Sequence, residues 1–402
     1  MDVLKTDLCI VGGGPAGMMA GLLFARAGVR TLVLEKHADF LRDFRGDTVH
    51  PSTLEIFGEL GLVDELLSRP HARAETFTAI VAGEEIPFAD FGALDVSCPF
   101  VALMPQWDFL DCTADAAREY PSFSLRMEAE VTDLAEEQGR VTGVRLADGQ
   151  TIRARLVLAA DGRHSVIRDQ AGLPLEDLGA PMDVFWFRIS KPKTKENRTS
   201  FLVGAGQVMA LIDRGDYWQS AYVFPKGGAE RIKAKGIEAF RSAVAAGAPM
   251  LAGRIHELRS WEDVKLLAVS LNRLKQWHRP GLLLIGDAAH AMSPMGGVGI
   301  NLAIQDAVAA ANILADPMAA GEDPDLLLEQ VQERRMMPTR VIQTIQRVAQ
   351  ERVIGPLLEE PRLIERPPRL LQLFKRSSWL RRRVATLVGI GIRPESVRSP
   401  EA

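Results

Sequence analysis

The feature that constrains this chain most is a glycine-rich turn close to its start. An apolar run at residues 8–11 precedes Gly12-Gly13-Gly14-Pro15-Ala16-Gly17, and residues 15–27 then have a helical pattern. A short, continuous apolar run is typical of a central parallel strand that is buried on both faces. In the pattern G-x-G-x-x-G, Gly12 permits the tight turn, Gly14 lets the backbone approach a pyrophosphate, and Gly17 lets helix and strand pack closely. The pattern predicts a dinucleotide-binding βαβ unit.

A carboxylate supports this interpretation. A second apolar run at residues 31–34 ends at Glu35, roughly 20 residues beyond the turn, where such units place the acid that binds a ribose hydroxyl. The phosphates are expected at Pro15 and Ala16, where the free N–H groups of the helix favour negative charge. Because Glu35 would repel a ribose 2′-phosphate, we predict FAD or NAD rather than NADP, and the early position favours FAD. Lys36 is a further candidate contact.

The composition excludes several classes of protein. The 402 residues are 47% hydrophobic and 25% charged, which is ordinary for a globular protein of two or three domains, or of one α/β body with an insertion. A net charge of −4 provides no basic surface for wholesale binding of nucleic acid. Three cysteines without a CxxC pair predict no metal site and a reduced, cytoplasmic location. Glycines interrupt the apolar stretch at residues 8–29, which argues against a membrane span.

The remaining patterns predict an α/β fold with two interleaved units. Residues 156–160 and 282–285 are further apolar runs of the parallel-strand type, and residues 184–223 favour antiparallel sheet. Residues beyond 324 have a helical pattern. We therefore expect a Rossmann-like FAD-binding domain with a parallel sheet at residues 1–75, 100–180 and 270–325. An antiparallel β-rich domain is expected at residues 76–99 and 181–269, followed by C-terminal helices at residues 326–402.

Two further glycine–acid motifs follow the other predicted parallel strands. The first is Asp161-Gly162-Arg163-His164-Ser165-Val166-Ile167-Arg168. The second is Gly286-Asp287-Ala288-Ala289-His290, continuing to Pro294-Met295-Gly296-Gly297-Val298-Gly299-Ile300-Asn301. In this order, the three motifs resemble those of the class A FAD-dependent aromatic hydroxylases, a monooxygenase family that includes p-hydroxybenzoate hydroxylase and the ubiquinone-pathway hydroxylases. The resemblance spans about residues 5–320 and is specific for the superfamily rather than for a substrate.

The resemblance implies cofactor roles for individual residues. Asp287 would hydrogen-bond a ribityl hydroxyl of FAD, with Gly286 allowing close approach. Asp161 and Gly162 would lie near the FAD pyrophosphate and bear on NAD(P)H binding, with Arg168 holding that loop. The remaining contacts that the resemblance implies are Arg45 at the pyrophosphate, Gln106 at the start of a helix, and Val131 at the adenine.

The loop at residues 294–299 has a physical logic of its own. Its small residues could press the backbone against a flat ring, and Ile300 begins a helix whose N-terminus would stabilise the negative charge of reduced flavin. Candidate cofactor contacts in this region are Pro294, Gly297, Gly299, Ile300 and Asn301. Two bland alternatives remain open: Asp287 as a helix N-cap, and His290 as a satisfied buried histidine, which we favour because no second metal ligand is spaced near it.

The substrate is expected between the β-rich insert and the flavin ring. Candidate pocket residues are Trp186, Met209, Trp218, Tyr222 and Met295, although aromatic and methionine residues on strands are usually core. His50 either lines the flavin pocket or lies on the surface, and we favour the surface position. No catalytic base can be assigned, since the flavin carries the chemistry. The weak catalytic candidates are Arg45, His50, Tyr222 and Pro294.

These residues together predict an FAD-dependent monooxygenase. With NAD(P)H and O2 it would hydroxylate an aromatic or polyketide-like small molecule, through the C4a-hydroperoxyflavin that the resemblance implies. The alternatives are an FAD-dependent reductase or dehydrogenase of the same superfamily, or a non-catalytic flavin-binding protein. A halogenase is disfavoured because the motif Trp-x-Trp-x-Ile-Pro is absent from the sequence. The choice between NADH and NADPH stays open.

The C-terminal part of the chain has a different character. Between residues 362 and 398, nine arginines and one lysine stand against two glutamates, a local charge of about +8, interleaved with Leu, Phe and Trp379. Such a segment could contact anionic lipid weakly. It could equally pack against the acidic remainder of the chain or against a second subunit of a homodimer.

Overall fold

A computed structural model of the chain describes residues 4–41, 48–191, 199–204, 206–359, 367 and 369–402. Its strands are β1 (Leu4–Val11), β2 (Thr31–Leu34), β3 (Thr48–Val49), β4 (Ala72–Ala74), β5 (Thr76–Val81), β6 (Glu84–Asp90), β7 (Val101–Leu103), β8 (Phe123–Arg126), β9 (Val131–Glu137), β10 (Arg140–Leu146), β11 (Thr151–Ala159), β12 (Leu175–Asp177), β13 (Met182–Ser190), β14 (Ser200–Gly204), β15 (Gln207–Asp213), β16 (Tyr217–Pro225), β17 (Lys265–Leu267), β18 (Asn272–Leu274), β19 (His278–Arg279), β20 (Leu282–Leu284) and β21 (His290–Ala291). Its α-helices are α1 (Pro15–Arg26), α2 (Pro51–Glu59), α3 (Val63–Ser68), α4 (Gln106–Arg118), α5 (Val166–Ala171), α6 (Ala229–Lys233), α7 (Ile237–Gly247), α8 (Gly299–Ala319), α9 (Leu328–Ala349), α10 (Gly355–Glu359), α11 (Arg369–Arg376) and α12 (Ser378–Ala385).

A parallel sheet positions the three sequence motifs. Five strands run parallel in the order β8-β2-β1-β11-β20, and β19 adds an antiparallel edge. Leu8, Cys9 and Ile10 of β1 are fully buried, as the apolar run predicts for a strand covered on both faces. The strands β10 and β11 form the hairpin that Asp148-Gly149 indicates, with Gly149 at φ +85°. An α/β fold with a parallel sheet is therefore confirmed.

A second sheet of seven strands has the order β17-β13-β16-β15-β14-β5-β6. All its neighbouring strands are antiparallel except β14 and β5. One face packs on α7, where Phe185, Phe187 and Met209 meet Phe240 in a common core. Side chains that alternate with these, such as Trp186, belong to the opposite face. The two faces therefore have different neighbours, which matters for the location of the substrate.

The long helix α8 lies in the hydrophobic core around the parallel sheet. Counted from Met295 to Ala319, it has the length and apolar composition of a membrane span, but 78% of its most apolar window is buried inside the protein. It packs with α1 in the core that covers the parallel sheet. Among the described residues, its apolar surface is thus satisfied by packing.

The basic C-terminal segment folds back onto the body of the protein. Leu371 and Phe374 of α11 pack against Val81 and Ile86 of the seven-stranded sheet, and Lys375 pairs with Glu84. The turn Thr386–Ile390 follows α12, and residues 393–402 then cross the parallel-sheet unit, where the N–H of Ala402 bonds the carbonyl of Arg26 at 2.9 Å. Of the three sequence interpretations of this segment, packing against its own chain is the one this arrangement supports.

Candidate functional site

The glycine turn has the geometry that its sequence predicts. Gly12 has φ +103°, and a Cβ there would lie 2.5 Å from the carbonyl oxygen of Ala160. A Cβ on Gly17 would lie 1.9 Å from the carbonyl oxygen of Gly12, so only glycine allows α1 to approach β1. Gly14, by contrast, has no atom of the described residues within 4 Å of an added Cβ. The open side of Gly14 and the start of α1 at Pro15 leave room for a phosphate group at the helix N-terminus.

Glu35 is buried beside this turn, with 6% of its surface exposed. Its Oε2 accepts a hydrogen bond from the N–H of Gly13 at 2.9 Å, and its Oε1 accepts one from the N–H of His37 at 3.0 Å. The carboxylate thus lies against the glycine turn at the end of β2, where a βαβ unit places the acid that binds a ribose hydroxyl. Lys36 is exposed, whereas Val131 is buried at the start of β9.

The loop after β11 carries a buried carboxylate. Asp161 Oδ2 accepts the N–H of Ile167 at 3.2 Å, while Oδ1 is buried and has no hydrogen-bond partner among the described residues. Burial raises the pKa of Asp161, although hydrogen bonds from Ser165 and nearby backbone offset part of this. Arg168 donates from Nη2 to the carbonyl of Arg163 at 3.0 Å, and so supports the loop from behind.

The turn after β20 brings a second acid to the same edge. Gly286 has φ +57°, and an added Cβ would lie 3.1 Å from Ala303 and 3.3 Å from Ala16. Asp287 Oδ2 lies 3.3 Å from Arg163 Nη2, and the Asp287 side chain is 28% exposed. The N-cap of this short turn is Ile285, which does not support the alternative that Asp287 is an N-cap.

The small-residue loop forms a turn with two left-handed glycines. In the turn Met295–Gly297, Gly296 has φ +80° and Gly297 has φ +65°, and α8 begins at Gly299, one residue before the predicted start at Ile300. The Gly297 carbonyl accepts a hydrogen bond from Thr48 Oγ1 at 3.1 Å. Pro294 precedes the turn as its N-cap. At Gly296 and Gly297 the loop therefore consists of backbone without side chains.

Three glutamines in α9 and the turn after it bond the backbone and side chains in and before this loop, and the sequence analysis did not identify them. Gln346 Nε2 donates to the carbonyls of Ser293 and Met295 at 3.0 Å each, and Gln350 Nε2 donates to Ser293 Oγ. Gln343 Nε2 likewise bonds the carbonyl of Ala291 at 3.2 Å. The spacing of 343, 346 and 350 places all three on one helix face, which is the signal that could have identified them.

Asn301 and His50 form a buried polar pair beside the loop. Asn301 Oδ1 accepts from Thr53 Oγ1 at 2.8 Å and from the N–H of His50 at 3.4 Å, while its Nδ2 is buried without a partner among the described residues. His50 is fully buried, which excludes the surface interpretation. Burial lowers the pKa of His50 to about 4, although the carbonyls of Val388 and Gly297 approach the ring and offset part of this. Neither ring nitrogen of His50 has a hydrogen-bond partner of good geometry among the described residues. Because its pKa is about 4, the imidazole is neutral at pH 7.

The remaining candidates lie in separate places. Tyr222 packs on the α7 face, 5.3 Å from the Phe240 ring, and burial raises its pKa. Met209 and Trp218 are on the same face, so these three belong to the helix-covered core, whereas Trp186 is on the opposite face. Met295 is half-buried in the loop, and Gln106 is the first residue of α4. Arg45 lies outside the described residues.

His290 lies in the interior rather than at the open edge. Its Nε2 is 2.6 Å from Asp306 Oδ2, and both side chains are almost completely buried. Within the ranges that the structure describes, no cluster of three or more His, Cys, Asp or Glu side chains could hold a metal ion.

The three motifs converge on one edge of the sheet. Because β1, β11 and β20 are parallel, the residues after their carboxyl ends are neighbours, and this is where α/β sheets bind dinucleotides. The open side of Gly14 and the unpartnered Asn301 Nδ2 and Asp161 Oδ1 fit an extended polar ligand that ends in a flat ring. The residues present therefore fit FAD.

Comparisons with known proteins agree with this geometry. Residues 5–345 match the family described as FAD binding domain. The chain is 33% identical over 358 residues to 6-methylpretetramide 4-monooxygenase of Streptomyces rimosus, covering 88% of this chain and 85% of that protein. It is 28% identical over 305 residues to rifampicin monooxygenase of Streptomyces venezuelae, covering 75% of this chain and 62% of that one.

A solved structure shares the fold. It is that of PqsL, a probable FAD-dependent monooxygenase from Pseudomonas aeruginosa, which matches with a TM-score of 0.75 and 21% identity over 88% of this chain and 98% of that chain. The cofactor of this protein is FAD, with NAD(P)H and O2 as co-substrates. The chain thus belongs to the class A FAD-dependent aromatic hydroxylases and is an FAD-dependent monooxygenase.

Proposed function

We propose that this monooxygenase hydroxylates an aromatic polyketide of several rings. The observation that carries this proposal is the 33% identity, over 88% of the chain, with a relative whose name states that it oxygenates 6-methylpretetramide. The glycines of the turn Met295–Gly297 support it, because backbone without side chains at Gly296 and Gly297 can lie against flat rings. In this proposal the substrate lies between that turn and the Trp186 face of the seven-stranded sheet.

The site residues take the following roles in the proposal. The N-terminus of α1 and Gly14 hold the pyrophosphate, Glu35 holds the ribose, and Asp287 holds the ribityl chain. Asn301 Nδ2 donates to the flavin ring. When bound, FAD accepts a hydride from NAD(P)H and activates O2, which is the chemistry that protein side chains cannot supply.

The protein's own contribution is position and polarity. The N-terminus of α8 carries a partial positive charge that would stabilise negative charge on the flavin. Gln346 bonds the carbonyls of Ser293 and Met295, and so holds the backbone of the loop in one conformation. His50 contributes a neutral imidazole next to Asn301. These groups are in place before the reaction starts, so they need little reorganisation during it.

The domain arrangement is also part of the proposal. The FAD-binding domain comprises residues 1–75, 100–180 and 270–325, the substrate domain residues 76–99 and 181–269, and the C-terminal region residues 326–402. Pairing of β5 with β14 supports the assignment of the early insert to the substrate domain.

The proposed location of the enzyme is the cytoplasm, and its proposed assembly includes a homodimer. We propose no membrane contact, because Leu371 and Phe374 of the basic segment pack against the seven-stranded sheet.

Turnover under ¹⁸O2 tests the function. FAD-loaded protein is incubated with NADH or NADPH and a panel of phenols and tetracyclic polyketides, and products are analysed by mass spectrometry. We expect one heavy oxygen atom in a polycyclic product and none in reactions that lack the enzyme. Hydroxylation confined to single-ring phenols would overturn the substrate class. Bound FAD without O2-dependent chemistry on any compound would favour the reductase or the non-catalytic alternative.

A further inference from the structure

A buried charged network reaches from the FAD site to the C-terminus. Asp306 of α8 is completely buried and accepts three hydrogen bonds. These come from the N–H of Gly286 at 3.1 Å, from Arg335 Nε at 3.0 Å, and from His290 Nε2, which is 2.6 Å away. The nearby His290 and Arg335 lower the pKa of Asp306 despite its burial, so its carboxylate is ionised. Asp306 therefore fixes the backbone of the turn that carries Asp287.

Arg335 of α9 connects Asp306 to the end of the chain. Its Nη1 donates to the carbonyl of Arg393 at 3.2 Å and to Glu395 Oε1 at 3.3 Å, and its Nη2 donates to Gln305 Oε1 at 3.3 Å. Glu395 also receives a forked pair of bonds from Arg334, at 2.6 and 3.0 Å. Arg335 and Glu395 side chains are each 1% exposed. Every link from Gly286 to Glu395 is thus a charge-assisted hydrogen bond inside the protein.

We call residues 393–402 the C-terminal strap. Outside the buried network, Asn312 and Arg26 hold the strap against the body of the protein. Asn312 bonds the carbonyl of Ser396 and the N–H groups of Arg398 and Ser399. Near the end, Arg26 pairs with Glu401, whose side chain is 59% exposed. Within the strap, the Glu395 side chain and the Arg393 carbonyl enter the buried network. Arg393 has φ +55°, which is uncommon for a residue with a side chain.

Stability alone does not explain this arrangement. Apolar residues of similar volume commonly stabilise a core as well as a buried ion network does, whereas a network with one partner removed leaves an uncompensated charge. If the strap moved away, Arg335 Nη1 would lose both of its acceptors there, the Arg393 carbonyl and Glu395. The guanidinium would then turn toward other acceptors. Asp306 would follow the guanidinium to which it is bonded, and the N–H of Gly286 would lose its partner.

We propose that the C-terminal strap is a positioning element for FAD binding. It acts through Glu395, Arg335 and Asp306 on Gly286, and so sets the place of the Asp287 carboxylate before FAD arrives. Preorganisation of this kind raises affinity because binding does not have to order the site. The inference rests on the proposed role of Asp287 toward FAD. Because coupling between two sites is reciprocal, bound FAD must in turn hold the strap in place.

The first test compares two glutamates of the strap. For the apoprotein we expect Glu395→Gln to raise the Kd for FAD tenfold or more, measured by quenching of flavin fluorescence. Glu401→Gln, the matched control, removes the same charge from the same strap and should change the Kd less than twofold. Equal Kd values for Glu395→Gln and wild type would overturn the proposal. Failure of the wild-type protein to bind FAD would instead overturn the proposed function.

A double-mutant cycle separates coupling from general damage. Arg335→Lys keeps a positive charge but cannot bond Asp306, Arg393 and Glu395 together. We expect it to weaken FAD binding as Glu395→Gln does, with no further loss in the double variant. Additive losses, or losses that follow only the Tm of the apoprotein, would show that the strap merely stabilises the fold.

Hydrogen exchange in the wild-type protein needs no variant. The amide groups of Val397, Arg398 and Ser399 bond Glu59 and Asn312, far along the chain from the glycine turn. We expect FAD to slow their exchange severalfold, and the Glu401→Gln protein to behave in the same way. Exchange rates in the strap that are equal with and without FAD would contradict the reciprocal coupling.

Discussion

Arg163 Nη2 lies 3.3 Å from Asp287 Oδ2, although the two residues are 124 positions apart in the chain. The pair joins the loop after β11 to the turn after β20 at the carboxyl edge of the parallel sheet. Their side chains are 22% and 28% exposed, and ion pairs at such positions contribute at most about 1 kcal/mol. Asp287 can therefore exchange Arg163 for a hydroxyl group of FAD at little cost.

Asp287→Ala should separate cofactor binding from stability. Loss of a hydrogen bond to a charged group costs about 1.5–3 kcal/mol, so we expect the Kd for FAD to rise about 10- to 150-fold. The free energy of unfolding of the apoprotein should change by about 1 kcal/mol or less. Fluorescence titration and urea unfolding measure the two quantities. Asp316→Ala, on the exposed surface of α8, is the control for loss of charge, and full FAD occupancy in Asp287→Ala would contradict the assignment.

Alanine at two glycines of the same turn should affect different properties: stability at Gly12, and FAD binding at Gly14. Gly12→Ala places a Cβ 2.5 Å from a backbone oxygen at φ +103°, so the protein itself should be destabilised by about 2 kcal/mol or more. In Gly14→Ala the new Cβ meets no atom of the described residues within 4 Å, at an allowed φ of −77°, so the apoprotein should keep its stability but bind FAD poorly. Thermal unfolding and FAD titration of both variants check this. Unchanged FAD binding in Gly14→Ala would show that the pyrophosphate lies elsewhere.

His50 should make the protein sensitive to acid. Burial lowers its pKa to about 4 in the folded state, from an ordinary value of 6.5. Between these values the unfolded chain binds a proton that the folded protein does not, so stability is lost as pH falls from 6.5 to 4. The shift corresponds to about 3 kcal/mol. Urea unfolding at several pH values should show a shallower acid loss for His50→Gln than for wild type. Parallel slopes for His50→Gln and wild type would contradict the prediction.

The two faces of the seven-stranded sheet should differ in their effect on substrate. Trp186 lies on the face away from α7, so Trp186→Leu should raise KM for the substrate about tenfold, through lost apolar contact of about 1–2 kcal/mol. Tyr222→Phe, on the α7 face, should leave KM and kcat unchanged. Steady-state turnover with product detection measures both. The reverse order of effects would place the substrate on the α7 side.

Much of the cofactor site follows from local sequence. The contacts of Gly12 and Gly17 lie within one strand, turn and helix or beside the adjacent strand, so G-x-G-x-x-G specifies their geometry. The DG and GD motifs each follow a short apolar run, and parallel pairing of those runs brings the motifs together. Alternation along β13 and β16 shows that each strand has two faces, but it does not show which face α7 covers. Met209, Trp218 and Tyr222 are thus substrate candidates by sequence and core residues by structure.

The sequence by itself determined the α/β class, the dinucleotide edge and the family resemblance, because these depend on periodicity and on glycines whose steric role is local. Only the tertiary structure decided that His50 is buried beside Asn301, and that Arg335 joins Asp306 to Glu395. Such contacts join residues 29 to 251 positions apart, and no spacing rule encodes them. Their protonation and energy depend on burial, which arises only when distant elements pack and exclude water.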